Sequence, residues 1–219
     1  LMWPCRVGPF SVVLGKHTRS FDTERLPFSH LEADASGRCM LIPGHYIATV
    51  GTLRDGSKWP QRDRRSGPVR RDQIGFDVFS PLTVGRMQQG LEVLDQLQNQ
   101  TDRKVETVAV GGVAVKRVLL RTGRKRYAAS VERYLLEQVV LRLEAWVDRG
   151  QPLEQALQPD GEAVDDAQWV DVGGQLMPGA RLEQICQDVV DGHLDTVIQL
   201  QVAFAEAHRL YPSDVWAWT

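Results

Sequence analysis

Ser80-Pro81-Leu82-Thr83-Val84-Gly85-Arg86-Met87-Gln88-Gln89-Gly90-Leu91-Glu92-Val93-Leu94 is where the character of the chain changes. Ser80 suits a helix N-cap, because its oxygen can accept from an orphan N–H of the first turn. Pro81 suits the first helical position, which needs no N–H. Val84, Met87, Leu91, Leu94 and Gln98 then follow a 3.6-residue period, with Gln, Glu and Asp on the other face. This predicts a helix over 80–100, weakened by Gly85 and Gly90.

Upstream, residues 1–79 show no helical period. Turn formers are dense there: Pro4, Gly8-Pro9, Gly15, Pro27, Gly37, Pro43-Gly44, Gly51, Gly56, Pro60 and Gly67-Pro68. Short apolar runs, Phe10–Leu14, Met40–Ile42 and Tyr46–Val50, read as strands between long loops. Helix is not expected, because Gly or Pro interrupts every window.

Downstream, Val105–Leu120 is a β-branched run broken by Gly111-Gly112, which predicts a hairpin. Residues 124–149 form the strongest helical pattern, with Val131, Tyr134, Leu135, Val139, Leu143, Trp146 and Val147 on one face and Gly150 as a stop. A short helical turn is expected within 151–158. Leu182, Ile185, Cys186, Val189 and Val190 make a one-sided stripe that predicts a helix over 180–191. A last helix over 195–210 has Asp195 as cap, Val197, Leu200, Phe204 and His208 on one face, and Tyr211-Pro212 as its end. The closing Trp216-Ala217-Trp218 is too aromatic for a free terminus and is expected to pack back on the body. The fold class is α+β: a β-rich, loop-rich basic part over 1–79, then a mainly helical part over 80–219. No sustained internal repeat is visible.

Charge divides the chain. Residues 1–149 hold 24 Lys and Arg against 16 Asp and Glu, a net +8; residues 150–219 hold 2 against 12, a net −10. Either the front part meets an anionic ligand or the two parts attract each other. No apolar run reaches the roughly 18 residues that a membrane span needs. The N-terminus begins at Leu1, without a secretory signal pattern, and reads as a fragment whose upstream part is missing. Cys5, Cys39 and Cys186 are widely spaced, with no C-x-x-C pair. They fit a reducing, cytoplasmic setting and give no zinc signature. His30, His45, His193 and His208 are scattered without metal-ligand spacing. No cofactor motif stands out: Walker-A, G-x-S-x-G, H-E-x-x-H and G-x-G-x-x-G patterns are absent.

Three clusters have candidate chemistry. In Gly15-Lys16-His17-Thr18-Arg19-Ser20-Phe21-Asp22, His17 can act as general base, Asp22 can fix its tautomer, and Lys16 and Arg19 can hold an anion. Seven cations and three acids fall between Arg54 and Asp72. There Arg54, Lys58, Arg62 and Arg64 suit phosphate, and Trp59 offers a flat face to a base or sugar. Arg121-Thr122-Gly123-Arg124-Lys125-Arg126 flanks a helix start, where cations oppose the helix dipole. Solvated loops, or pairing with the acidic C-terminal part, account for the same charges.

Several phrases resemble an uncharacterised bacterial family with a left-handed β-helix of hexapeptide repeats followed by a helical C-terminal part. They are Gly8-Pro9-Phe10-Ser11 with Gly15-Lys16-His17; Leu26-Pro27-Phe28-Ser29; Val50-Gly51-Thr52-Leu53-Arg54-Asp55 with Lys58-Trp59-Pro60; Arg62-Asp63; Phe79-Ser80-Pro81; Trp169-Val170-Asp171; and Tyr211 with Trp216-Ala217-Trp218. The resemblance implies that a β-helix precedes residue 1 and that this chain holds its end. It also implies kinship with acyl- and nucleotidyl-transferases acting on sugar nucleotides. Regular six-residue spacing is missing, however, and fold kinship does not give function.

Three functions follow as expectations: a transferase part acting on a phosphorylated or nucleotide-linked sugar; a non-catalytic scaffold or cap closing a β-helix edge; and a nucleic-acid binder using Arg54–Arg71. A homo-oligomer is compatible with each.

Overall fold

Gly8-Pro9-Phe10-Ser11 and Leu26-Pro27-Phe28-Ser29 organise the front of the molecule. In the computed structural model, which describes residues 4–66, 73–75, 77–149, 152–164 and 166–219, these phrases are stacked turns. Phe28 N–H donates to the Pro9 carbonyl at 2.8 Å, and Ser29 N–H to Ser11 Oγ at 2.9 Å. Parallel strand pairs flank the stack: β1 (Arg6–Val7) with β3 (Asp22–Thr23), and β2 (Val12–Leu14) with β4 (His30–Ala33).

The elements make a mixed α+β architecture in two units that interleave along the chain. One comprises Leu1–Pro60 and Val78–Arg133, the other Gln61–Asp77 and Tyr134–Thr219. The first unit holds a five-stranded sheet with order β2-β4-β5-β7-β6, completed by β5 (Cys39–Ile42), β6 (Thr107–Val110) and β7 (Val113–Lys116). β4 and β5 are antiparallel, β5 and β7 parallel, and β6 and β7 form the expected antiparallel hairpin. Its core contains Leu26, Phe28, Leu31, Leu41, Val84, Met87, Leu94, Val115, Leu120 and Tyr127, all fully buried. Tyr127 donates its hydroxyl to the Pro27 carbonyl at 2.6 Å, and burial pushes its pKa well above the usual value.

Residues 45–62 depart from the sequence reading, whereas the strand expected over Met40–Ile42 is present as β5. A 3-10 turn spans His45–Ile47, followed by α1 (Val50–Gly56) and α2 (Trp59–Arg62), where a strand over 46–50 was expected. Tertiary contact outweighs propensity here. A Cβ at Gly56 would overlap the Val78 side chain, so this glycine serves a close approach within a helix. Trp59 stacks on Phe10 with centroids 5.8 Å apart.

α3 (Pro81–Gln100) begins as its sequence predicts, with Ser80 as N-cap and a capping box formed with Thr83. α4 (Arg117–Val147) starts seven residues earlier than expected, directly from β7. Val131 and Tyr134 are buried on it and Leu135, Val139, Leu143 and Trp146 half-buried, whereas Val147 is exposed.

In the second unit, α5 (Leu153–Ala156) precedes a hairpin the sequence reading missed, β8 (Trp169–Val172) and β9 (Gln175–Pro178). α6 (Gly179–Val190) and α7 (Val197–Trp218) follow. Met177, Ile185 and Ala207 form the core, with Val170, Leu182, Leu200 and Phe204 against it. α7 is capped by Thr196 with Gln199, not by Asp195, and it continues through Pro212. Pro212 lacks the N–H for one intrahelical bond, but the turns beyond it are tied down. Asp214 Oδ1 accepts from Arg181 at 2.6 Å and from Val164 N–H at 2.9 Å, and Trp216 Nε1 donates to the Gln158 carbonyl at 3.0 Å. Trp218 meets Tyr134 edge-on at 6.1 Å. The closing indoles pack back as expected, half-buried rather than fully buried.

Both Gly-Gly hairpins have two positive-φ glycines at the turn, Gly111 and Gly112 at 55° and 87° and Gly173 and Gly174 at 64° and 97°. That matches the type I′ geometry favoured by two-residue hairpins. Each hairpin runs straight into a helix, so a strand–Gly-Gly–strand–helix unit occurs twice.

Candidate functional site

His17 sits in the loop after β2. Its Nε2 lies 2.8 Å from the Leu14 carbonyl, which can only accept, so Nε2 carries the proton. Nδ1 then keeps its lone pair in the neutral ring. It is buried and has no hydrogen-bond partner among the described residues. The ring is 5% exposed and stands edge-on to buried Phe21, with centroids 5.6 Å apart. An orphaned buried polar atom costs on the order of 1–3 kcal/mol, so a ligand donor reaching it would be rewarded.

His17, Thr18, Arg19 and Phe21 line one part of a cavity of about 300 Å³, and Ser36, Gly37, Arg38, Cys39 and Gly112 line the rest. The Ser36–Arg38 part is shaped by Asp34. Its carboxylate accepts from Ser36 N–H and Oγ–H at 2.9 and 2.6 Å, and from Arg38 N–H and Nε–H at 3.0 and 3.2 Å. These bonds, that of the Ser36 hydroxyl foremost, hold the Asp34 carboxyl down at about 2. Burial, and secondarily Cys5, pushes the Cys39 thiol up to about 11, so it is neutral at physiological pH. One cavity is therefore lined by two arginines, a histidine with an unpartnered ring nitrogen and a cysteine whose thiol is protonated.

The sequence-predicted residues divide. His17 and Arg19 meet in this cavity, and Lys16 is exposed on the same loop. Asp22 does not orient His17: its carboxylate accepts from Glu24 N–H at 3.1 Å and lies 4.0 Å from Arg6. The Leu14 carbonyl takes that role. Arg54 pairs with Asp55 at 3.2 Å on α1. Lys58 lies between α1 and α2, Arg62 ends α2, and Arg64 is exposed. None of Arg54, Lys58, Arg62 and Arg64 lines the His17 cavity, and the last two belong to the other unit. Arg70 and Arg71 lie outside the described residues. Arg38 was missed because nothing local marks it; the β4–β5 turn brings it to His17.

A second cluster was also missed. His30 Nδ1 is 2.9 Å from Tyr46 Oη, and its Nε2 is 3.3 Å from Glu32. His45 packs beside both rings, at 5.5 Å from His30 and 5.0 Å from Tyr46. Burial, with His30 and Arg126 nearby, holds His45 below its usual pKa. Among the described residues no group of three or more His, Cys, Asp or Glu could hold a metal.

A larger cavity, about 710 Å³, opens where the loop after α3 meets the start of α4. In the Arg121–Arg126 cluster, Arg121 lines it, whereas Arg124 pairs with Asp95.

Residues 1–98 match the family model described as a domain of unknown function (DUF4954), and residues 149–219 match another described as a domain of unknown function (DUF6819). No curated protein matches the chain, and no solved structure does. Kinship with uncharacterised domains thus stands at that level. No described helix is long and apolar enough to cross a membrane.

Proposed function

We propose that the first unit binds a phosphorylated or nucleotide-linked sugar in the His17 cavity and takes part in group transfer there. The observation that carries this is the state of His17: one nitrogen fixed as a donor by Leu14, the other an unpartnered lone pair, beside Arg19 and Arg38. That is the tautomer a general base needs. Nδ1 would take the proton of an acceptor hydroxyl or amine as it attacks the electrophilic phosphorus or acyl carbon. The leaving group departs with the bonding pair, and Arg19 and Arg38 offset the charge on the anionic substrate. Lys16 would add charge at the rim. Arg54, Lys58, Arg62 and Arg64 have no part in this cavity, and Asp22 no orienting role.

Titration with a nucleotide sugar tests the reading. Arg19→Ala and Arg38→Ala should each weaken binding about tenfold, the loss of one charge-assisted contact. His17→Gln should bind but not turn over. Absence of binding by the unmodified chain, or equal affinity in both Arg variants, would rule the site out.

A scaffold at the end of a β-helix is the second reading. Its support is the stacking of the Gly8–Ser11 and Leu26–Ser29 turns at an interval of 18 residues, three hexapeptides, with parallel pairing alongside. In that case the Arg19 and Arg38 variants change no binding, while loss of the stacked rings lowers stability.

A further inference from the structure

The 710 Å³ cavity has an unusual charge content. Among the described residues Arg103, Lys104, Lys116, Arg117 and Arg121 line it, against a single acid, Glu106. None of the five cations makes an ion pair among the described residues. Elsewhere in the same unit several cations have an acidic partner, as in Arg6 with Glu24, Arg86 with Glu24, and Arg124 with Asp95. Two polar atoms at this cavity are also buried without partners among the described residues: Arg117 Nε and Gln98 Oε1. Among the described residues, the Arg117 guanidinium is held through one terminal nitrogen, 3.4 Å from the Thr101 carbonyl.

The cations also stand where a helix does not want them. Arg117 and Arg121 occupy the first two turns of α4, and the first turn has no acid. The helix N-terminus is itself partly positive, so like charge there weakens the helix and strengthens the pull on an anion.

We infer that this cavity is a binding site for a compact polyanion, a di- or triphosphate group, distinct from the His17 cavity and independent of the function proposed for it. Five cations against one acid suit three to four negative charges gathered in one place. The volume falls in the range of small-molecule sites, about 300–1,000 Å³. Among the described residues no aromatic side chain lines it, so these residues offer no stacking platform of the kind by which single-stranded nucleic acid is held. Arg117 Nε, now without an acceptor, would donate to a phosphate oxygen, and Gln98 would accept from a protonated phosphate or a ligand hydroxyl.

The probes are orthophosphate, tripolyphosphate, a nucleoside triphosphate and a single-stranded RNA, titrated into the whole chain at 0.15 M salt. Tripolyphosphate should bind at least tenfold more tightly than orthophosphate. Lys104→Ala with Lys116→Ala, both at exposed positions, should weaken it at least tenfold without altering the far-ultraviolet spectrum; Arg121→Ala serves as a second, independent variant. His17→Gln should leave this affinity unchanged. A nucleoside triphosphate that binds more tightly than tripolyphosphate identifies a nucleotide as the source; equal affinity identifies the phosphate chain alone. Either result supports the site. Equal binding of ortho- and tripolyphosphate, unchanged affinity in both variants, or RNA bound more tightly than tripolyphosphate would overturn it, the last in favour of a nucleic-acid surface.

Discussion

Phe10 and Phe28 stack with ring centroids 5.2 Å apart and planes 19° from parallel, and both have φ of 56°. Bulky residues rarely adopt that conformation. Finding it twice, at an 18-residue interval and in the same Pro-Phe-Ser setting, marks one turn geometry used twice. Trp59 continues the stack beyond Phe10, and Phe79 lies 5.7 Å from Phe28. Ring contacts and the Pro9 and Ser11 hydrogen bonds together hold a backbone that neither phenylalanine would choose.

This sets an inverted order for substitutions at Phe28, which is fully buried. Phe28→Ala should cost ~3–5 kcal/mol, the loss of a buried aromatic ring. Phe28→Gly loses the same ring but recovers the left-handed strain of about 1–2 kcal/mol. Glycine should therefore be the less damaging of the two in denaturant melts, against its usual entropic disadvantage. A markedly lower stability for the glycine variant would show that the positive φ is not strained.

The two Gly-Gly hairpins give a paired comparison. A Cβ at Gly111 would overlap the carbonyl oxygen of Asp22, whose N–H donates to the Gly111 carbonyl at 2.7 Å. A Cβ at Gly173 meets nothing within 4 Å among the described residues. Gly173→Ala should cost only the left-handed strain, about 1–2 kcal/mol. Gly111→Ala should cost clearly more, because β6–β7 must shift away from β3. Equal losses of melting temperature would contradict the close packing at Asp22.

Cys39 supplies a pH prediction. Its thiol is raised from 9.0 to about 11 by burial first and Cys5 second. Between those values an unfolded chain has released the proton that the folded chain keeps, so stability should fall as pH rises from 9 to 11. Only the thiolate alkylates. At pH 8 Cys39 should react with iodoacetamide at least tenfold more slowly than exposed Cys186, and its rate should keep rising to about pH 11. Peptide mass spectrometry of a time course reads both thiols. A nucleotide sugar in the His17 cavity should slow Cys39 further.

How legible these features were depended on the range of the interaction. Ser80-Pro81 announced α3 because a cap and a first-turn proline are local devices, and Gly111-Gly112 announced its hairpin for the same reason. The helices at Val50–Gly56 and Trp59–Arg62 were hidden because their glycines and proline argue against helix, and the Trp59–Phe10 stack that favours it spans 49 residues. Pro212 misled in the same way: the Arg181–Asp214 pair that holds the following turns joins positions 33 apart. At the site, His17 and Arg19 were legible as a cluster within one loop. Arg38 and the basic cavity around Arg117 were not, because strand order and the β7–α4 junction assemble them. Asp22 is the acid close in sequence, but a backbone carbonyl three residues before His17 holds the ring instead, and Arg54, Lys58, Arg62 and Arg64 lie away from the His17 cavity.

The Arg181–Asp214 pair separates two ideas about buried charge. Asp214 is fully buried, and the Arg181 side chain is 16% exposed. Asp214 also accepts from Val164 N–H, and Arg181 donates to the Glu162 carbonyl at 2.7 Å, so the pair joins α6 and α7 to the 162–164 segment. Removing one partner leaves the other charge uncompensated, and Asp214→Ala should cost ~3–5 kcal/mol. Removing both charges is different in kind. Arg181→Met with Asp214→Leu avoids the stranded guanidinium and loses mainly the bonds to Val164 and Glu162, about 1 kcal/mol each. The double variant should therefore be more stable than Asp214→Leu alone, and a double-mutant cycle of wild type, Arg181→Met, Asp214→Leu and the double variant should return a coupling of at least about 1 kcal/mol. Urea melts of the four proteins measure it. Additive losses would mean that the two side chains act independently, and that the turns beyond Pro212 are held by the Trp216–Gln158 bond and the packing of Val215 instead.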